Sequence, residues 1–169
     1  RGWDVAVNYA RDAGAAQAVV DQVCALGRRA IAVKADVADE EAVAAMFARV
    51  DRDLGRLTDL VNNAGIVDMK ARLDEMSPAR WRRMLDVNVF GTLLCAQLAI
   101  RRISTRHSGT GGSIVNLSSV AAKLGSPAMY VDYATSKGAM IQPKATTKVA
   151  SDTTPVIRAT PAEMKPSVR

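Results

Sequence analysis

The chain has 169 residues and a mass of 18.0 kDa, a length that suits one packed domain and not two. Its 49% hydrophobic and 24% charged residues are those of a folded globule and exclude a largely disordered chain. The net charge of +6 does not make a nucleic-acid binder, because half of the excess lies in Ile141–Arg169 and aromatics that would stack on bases are only 4% of the residues.

No apolar run approaches the ~18–20 residues that span a bilayer, and Arg1-Gly2-Trp3-Asp4 does not read as a secretory signal. No membrane partner is expected. Cys24 and Cys95 have no CxxC spacing and His107 is the one histidine. Disulfide scaffolds, metal sites and histidine-based triads are therefore not expected, and a cytoplasmic location is.

The first strand is Val5–Tyr9. Asp12 then caps a helix to Leu26 whose apolar face is Ala16, Val19, Val20, Val23 and Leu26, with Gly27 as its stop. The apolar run Ala30–Val33 predicts a strand buried on both faces. Asp39 caps a second helix with Val43, Phe47, Val50 and Leu54 on one side, closed by Gly55, and Leu57–Val61 is the third strand. Ser77-Pro78 opens a helix by a hydroxyl cap and an N1 proline, running past Trp81, Leu85, Val89 and Leu93 to about Ile103. After the loop Gly109–Gly112, with His107 on the surface before it, Ser113–Ser118 is the fourth strand. A last helix runs from about Ala128 to Ile141, where Pro143 ends it.

Strands alternating with helices predict an α/β fold, an open, doubly wound parallel sheet of Rossmann-like type. Such sheets bind ligands beyond the carboxyl ends of their strands. These ends are Tyr9–Arg11, Ala35–Val37, Asn62–Gly65 and Leu117–Ser119. Beyond Ile141, four of the six prolines and five threonines crowd together with no clear period. The chain thus divides into a domain over 1–140 and an irregular basic tail over 141–169.

Tyr133-Ala134-Thr135-Ser136-Lys137 carries the chemistry. Residues four apart on a helix lie side by side. A phenol ordinarily ionises near pH ~10, and an adjacent cation favours its ionised form, which suits it to proton transfer at neutral pH. Tyr130 has Ala134 at the same spacing and no such partner. A surface Tyr and Lys paired by chance is the plain alternative for this motif taken alone.

The ordered set Asp36-Val37, Asn62-Asn63-Ala64-Gly65, Asn88, Asn116-Leu117-Ser118-Ser119 and Tyr133…Lys137 is far more specific than any one of its members and favours the chemical reading. From about Gly2 to Ala139 the chain resembles the short-chain dehydrogenase/reductase family, in its 3-oxoacyl-carrier-protein reductase and sugar-dehydrogenase-like branch. The resemblance implies an NAD(P)-dependent oxidoreductase moving hydride between nicotinamide and a small carbonyl or alcohol substrate, in a family that is usually homo-oligomeric. It implies Tyr133 as general acid or base, and Lys137 as the cation beside it and the partner of the nicotinamide ribose. Ser119 would hold the substrate oxygen, and Asn88 a relay water. On the cofactor side, Asp36 would bond the adenine amine with Val37 beside the ring, and Asn63, Ala64 and Gly65 would line the adenosine.

Alternatives stay open at several positions. Ser118 could replace Ser119, which is preferred for its place before Val120. Asn88 could bond backbone within its helix, and Asp36 could only form a turn. Asn62 reads as structural, since paired asparagines at a strand end tie neighbouring loops together. NADP(H) is favoured over NAD(H) because no acid ends the first strand, whereas Arg11 there suits a 2′-phosphate. Arg11 could also be a solvated loop residue.

Two family features are not in this sequence. A first strand with its glycine-rich phosphate turn would precede Arg1, and the last strands would follow Met140, where the likeness gives way to Gln142-Pro143-Lys144. The sheet is thus expected to be incomplete, with exposed strand edges. A non-catalytic, truncated or frameshifted remnant that associates with intact relatives is the alternative to an enzyme.

Overall fold

The computed structural model describes residues 2–126 and 128–140; the expected tail over 141–169 lies outside them. The strand β1 (Val5–Tyr9) leads through α1 (Ala13–Ala25) to β2 (Ala30–Lys34), and the two strands pair in parallel with Val7 opposite Ala32. Asp12 caps α1 by accepting the Ala15 N–H at 2.8 Å. Asp39 does the same for Ala42 at the start of α2 (Glu40–Asp53), where Glu40 and Glu41 complement the positive end of the helix dipole.

After β3 (Asp59–Asn62) and a long loop, Ser77 caps α3 (Pro78–Leu85) with the proline in its first turn. A π-helical segment, Asp86–Phe90, joins it to α4 (Gly91–Ile103). β4 (Ser113–Asn116) then pairs in parallel with β3, with Asn62 opposite Asn116. Two further helices follow, α5 (Ala121–Leu124) and α6 (Val131–Ala139). α6 starts later than its sequence pattern suggests, and the short α5 carries no pattern long enough to announce it.

The fold is the expected α/β arrangement of parallel strands and helices, and the sheet is incomplete, as expected. β1 with β2 and β3 with β4 form two separate parallel pairs, and no strand among the described residues joins them. Val61 of β3 is accordingly exposed, although a central parallel strand would bury it. The same shortage of cover corrects the first helix. A two-stranded sheet buries Ala16 and Val20, while Val19 and Leu26, expected on the buried face, are 42% and 79% exposed.

The core lies where α2 and the α4 region meet. Val37, Val43, Phe47, Val87, Cys95 and Ala99 form one buried cluster, with Leu57, Leu60, Leu98 and Ile114 packed against it. Burial drives the Cys95 thiol up to about 11, so it stays protonated and packs as a small apolar group. The 26-residue helix Pro78–Ile103 is interrupted by the polar residues Asp86, Asn88 and Gln97 and is not a continuous apolar run. It has a mean hydropathy of 1.3 over its most apolar stretch, enough by length and composition to cross a bilayer. Met84, Val87, Cys95, Ala99 and Ile103 of this helix are buried, while Trp81, Leu85, Phe90 and Leu93 are exposed.

Gly91 shows how closely that helix is drawn in. A Cβ there would lie 2.7 Å from the Val37 side chain and 2.8 Å from the Val37 carbonyl. Overpacking costs about 1–3 kcal/mol, against about 1 kcal/mol gained in helix propensity. Because a backbone carbonyl cannot step aside, Gly91→Ala is expected to lower stability, read as a lower midpoint in urea unfolding at unchanged slope.

Candidate active site

The carboxyl ends of β3 and β4, the π-helical segment and α6 converge on Lys137. This residue is 6% exposed, and its Nζ donates to the Leu117 carbonyl at 3.0 Å, just past β4. Gly65 lets the loop after β3 run against the same ammonium, since a Cβ there would lie 3.4 Å from Nζ and 3.3 Å from Asn88 Oδ1. Burial lowers the Lys137 pKa from its ordinary 10.5. One turn earlier is Tyr133, half-buried, with its ring centroid 5.8 Å from Lys137 Nζ. The side-by-side placement read from the four-residue spacing is therefore present.

The two serines after β4 differ in what their hydroxyls do. Ser118 Oγ donates to the Lys137 carbonyl at 2.9 Å, which ties β4 to α6. Ser119 Oγ accepts the Ala121 N–H at 3.2 Å, which leaves its proton for another acceptor. Asn62 is a tie, as its position suggested: its amide donates to Asn116 Oδ1 at 2.9 Å and to the Thr92 carbonyl at 3.3 Å.

Asn88 is 1% exposed and its amide is engaged at both Oδ1 and Nδ2. Oδ1 accepts the Ile66 N–H at 2.7 Å, while Nδ2 donates to the Ile66 carbonyl and to Ser136 Oγ, both at 2.9 Å, with Met84 Sδ at 3.1 Å. The amide thus ties the loop after β3 to α6, and does not bond backbone in its own helix. Its main-chain carbonyl accepts Thr92 Oγ1 at 3.0 Å. Both Nδ2 protons are committed to these partners, whereas Oδ1 accepts one protein hydrogen bond and keeps a second lone pair.

At the end of β2, Asp36 accepts the Ala38 N–H at 3.0 Å and a hydrogen bond from Arg83 at 2.7 Å. Burial alone would raise its pKa, but these two bonds and the charges of Arg83 and Arg11 outweigh it and hold the carboxyl below its ordinary value. Asp36 is therefore an ionised acceptor with lone pairs to spare, and the turn-forming bond to Ala38 coexists with that. Val37 is 7% exposed and sits in the core. Asn63, Ala64 and Gly65 are exposed along the loop after β3, and Arg11 is exposed beyond β1.

These residues fit a nicotinamide nucleotide in part. A buried ammonium with one protein acceptor has donors left for ribose hydroxyls, and the Asp36 carboxylate suits an exocyclic amine. The described residues contain no glycine-rich strand-to-helix turn for a pyrophosphate. Sequence reasoning missed Arg83, Ser136 and a buried pair, Arg80 with Asp132. Arg83 to Asp36, Asn88 to Ser136 and Arg80 to Asp132 are contacts across 47, 48 and 52 residues, and no local pattern signals them.

Comparison with known proteins follows the same lines. The sequence profile of the short chain dehydrogenase family matches residues 1–162, which runs past Met140, where the likeness was expected to end. An uncharacterised oxidoreductase of Escherichia coli (strain K12), YgfF, is 45% identical over 139 residues, 82% of this chain and 56% of that protein. An L-rhamnose 1-dehydrogenase (NAD(P)(+)) of a Sphingomonas species is 41% identical over 124 residues, 73% of this chain and 48% of that protein. Among solved structures, a short chain dehydrogenase from Burkholderia cenocepacia in complex with NADP superposes with a TM-score of 0.74 at 41% identity, covering 82% of this chain and 54% of that one. The chain thus spans about half the length of the relatives it matches.

Proposed function

The chain belongs to the short chain dehydrogenase family, and from that premise we propose that it carries the proton-transfer centre of an NADP(H)-dependent oxidoreductase acting on a small carbonyl or alcohol. The observation that carries this reading is the buried Lys137 ammonium, one helical turn from the half-buried Tyr133 phenol at the carboxyl ends of β3 and β4.

In the reducing direction Tyr133 gives its phenolic proton to the carbonyl oxygen and is left as the phenolate, which the Lys137 charge stabilises. Ser119, whose hydroxyl proton is not committed to α6 as that of Ser118 is, donates to the same oxygen and fixes its position. A bound reduced nicotinamide would supply the hydride, which with the Tyr133 proton would turn a ketone and NADPH into an alcohol and NADP+. Lys137 would use its remaining N–H donors on the nicotinamide ribose, while Asp36 and the Asn63-Ala64-Gly65 loop would hold the adenosine end. Asn88 serves this centre by fixing the loop and α6, through the four contacts its amide makes.

The preference for NADP(H) rests on Arg11. It is exposed just past β1 and close enough to Asp36 for its charge to act there, and the first strand ends without an acid. A guanidinium at this place meets a 2′-phosphate bidentately. Arg11→Ala is expected to weaken NADPH binding by about tenfold, the worth of one charge-assisted hydrogen bond, and to leave NADH binding unchanged. Fluorescence titration with each nucleotide reads both values.

The reading as a whole is tested by the loss of reduced-nicotinamide absorbance in the presence of purified protein and a panel of ketones and aldehydes. Turnover with at least one of them, faster with NADPH than with NADH, is the expected outcome. An absence of turnover with every carbonyl, together with an absence of nucleotide binding, contradicts it.

A further inference from the structure

Tyr133 is held by its backbone as well as by its helix. Its N–H donates to Asp132 Oδ1 at 2.9 Å, and its carbonyl accepts Ser136 Oγ at 2.8 Å. Each of those side chains is in turn gripped from the 26-residue helix. Arg80 Nε donates to Asp132 Oδ2 at 2.7 Å and its second nitrogen to Oδ1 at 3.3 Å, while Asn88 Nδ2 donates to Ser136 Oγ at 2.9 Å. Asp132 and Ser136 lie four residues apart, on one face of α6.

We propose that Arg80 and Asp132, together with Ser136, are positioning residues that clamp the backbone of Tyr133 at both ends and so fix where its phenol stands relative to Lys137 and the substrate oxygen. The inference rests on the proton-transfer role proposed above.

Burial distinguishes this clamp from ordinary surface pairing. The Asp132 side chain is 2% exposed and that of Arg80 12%, and Ser136 is fully buried. An apolar depression of about 250 Å³, walled by Leu73, Trp81, Leu85 and Val131, lies against the Asp132 side of the pair. A bidentate guanidinium–carboxylate pair in such surroundings has one geometry, which a lysine in place of Arg80 cannot reproduce. Arg80 also lies 3.9 Å from Asp68, in the loop between β3 and α3. That loop bonds through the Ala71 N–H to the Met129 carbonyl, just before α6. The clamp therefore sets α6 against the π-helical segment and against this loop together.

Three variants test it in the intact protein: Arg80→Lys, Ser136→Ala, and the double replacement Arg80→Met with Asp132→Leu. Removing a buried ion pair as a whole, with apolar groups of similar volume, is often neutral for stability. The double variant is thus expected to unfold at about the parental temperature. Displacing a reacting group by a fraction of an ångström to an ångström costs up to about 100-fold in rate. All three variants are expected to lose about 10- to 100-fold in kcat, with NADPH affinity unchanged and the loss persisting well below the unfolding temperature.

Parental kcat in Arg80→Lys and Ser136→Ala overturns the proposal, and so does kcat that returns together with stability in the double variant. If the double variant does not fold, the Arg80→Lys rate decides. Tyr133→Phe separates the two claims. Undiminished turnover in it defeats the proton-transfer reading, whereas an inactive Tyr133→Phe beside fully active Arg80→Lys and Ser136→Ala defeats the clamp alone.

Discussion

Tyr133→Phe is expected to slow carbonyl reduction by about 100- to 10,000-fold, the usual worth of a positioned general acid, and to leave NADPH affinity within twofold of the parent. The substitution removes one oxygen from a half-buried ring whose hydroxyl makes no hydrogen bond with the described residues. Folding stability is therefore expected to hold within about 0.5 kcal/mol, the range of substitutions that break no buried contact. The loss must fall on kcat, because the phenolic proton matters only as the carbonyl oxygen gains charge. Tyr130→Phe is the matched control. That tyrosine has Ala134 where Tyr133 has Lys137, and its variant is expected to turn over at the parental rate.

Lys137→Met is expected to act on both binding and rate, and in the opposite direction on stability. The ammonium is 6% exposed with the Leu117 carbonyl as its hydrogen-bond acceptor, and burial lowers its pKa. A lysine whose folded pKa lies below its unfolded value penalises the fold wherever it must carry its charge. That penalty is complete below the folded pKa and fades as the pH rises toward the ordinary 10.5. Methionine keeps the stem and removes the charge. The variant is therefore expected to melt at or above the parental temperature at pH 7, with the gap closing as the pH approaches 10.5. Its turnover is expected to fall by about 1,000-fold, since the phenolate loses its cation and the ribose its donor. A variant that is both less active and less stable at pH 7 would show that the ammonium is held there for structure. Higher stability with lost function is the signature of a charge kept buried for chemistry.

The sequence carried the local parts of this account and not the long-range ones. Asp12, Asp39 and Ser77-Pro78 mark helix starts because caps act within three residues, and all three are where the helices begin. The Val43, Phe47 and Val50 stripe is buried for the same reason, as helical period alone decides which residues share a face. Val19 and Leu26 obey that period too and are nevertheless exposed. What covers a face depends on the neighbouring sheet, which a helix pattern does not contain. The Tyr133–Lys137 adjacency was legible as an i, i+4 pair. The ties that hold it, from Arg80 to Asp132 and from Asn88 to Ser136, cross about fifty residues and exist only once α6 has docked on the 26-residue helix. Asn88 illustrates the limit well: its residue type and place announced a site, but its role as a tie depends on Ile66 and Ser136 reaching it.

The central claim is that Lys137, Asp36 and the loop at Gly65 receive a nicotinamide nucleotide beside Tyr133. It is tested most directly by titrating the purified protein into NADPH and following the nucleotide fluorescence. A saturable change, shared by Tyr133→Phe and weakened in Lys137→Met, is the predicted result. Fluorescence that stays unchanged with protein in large excess would contradict the account.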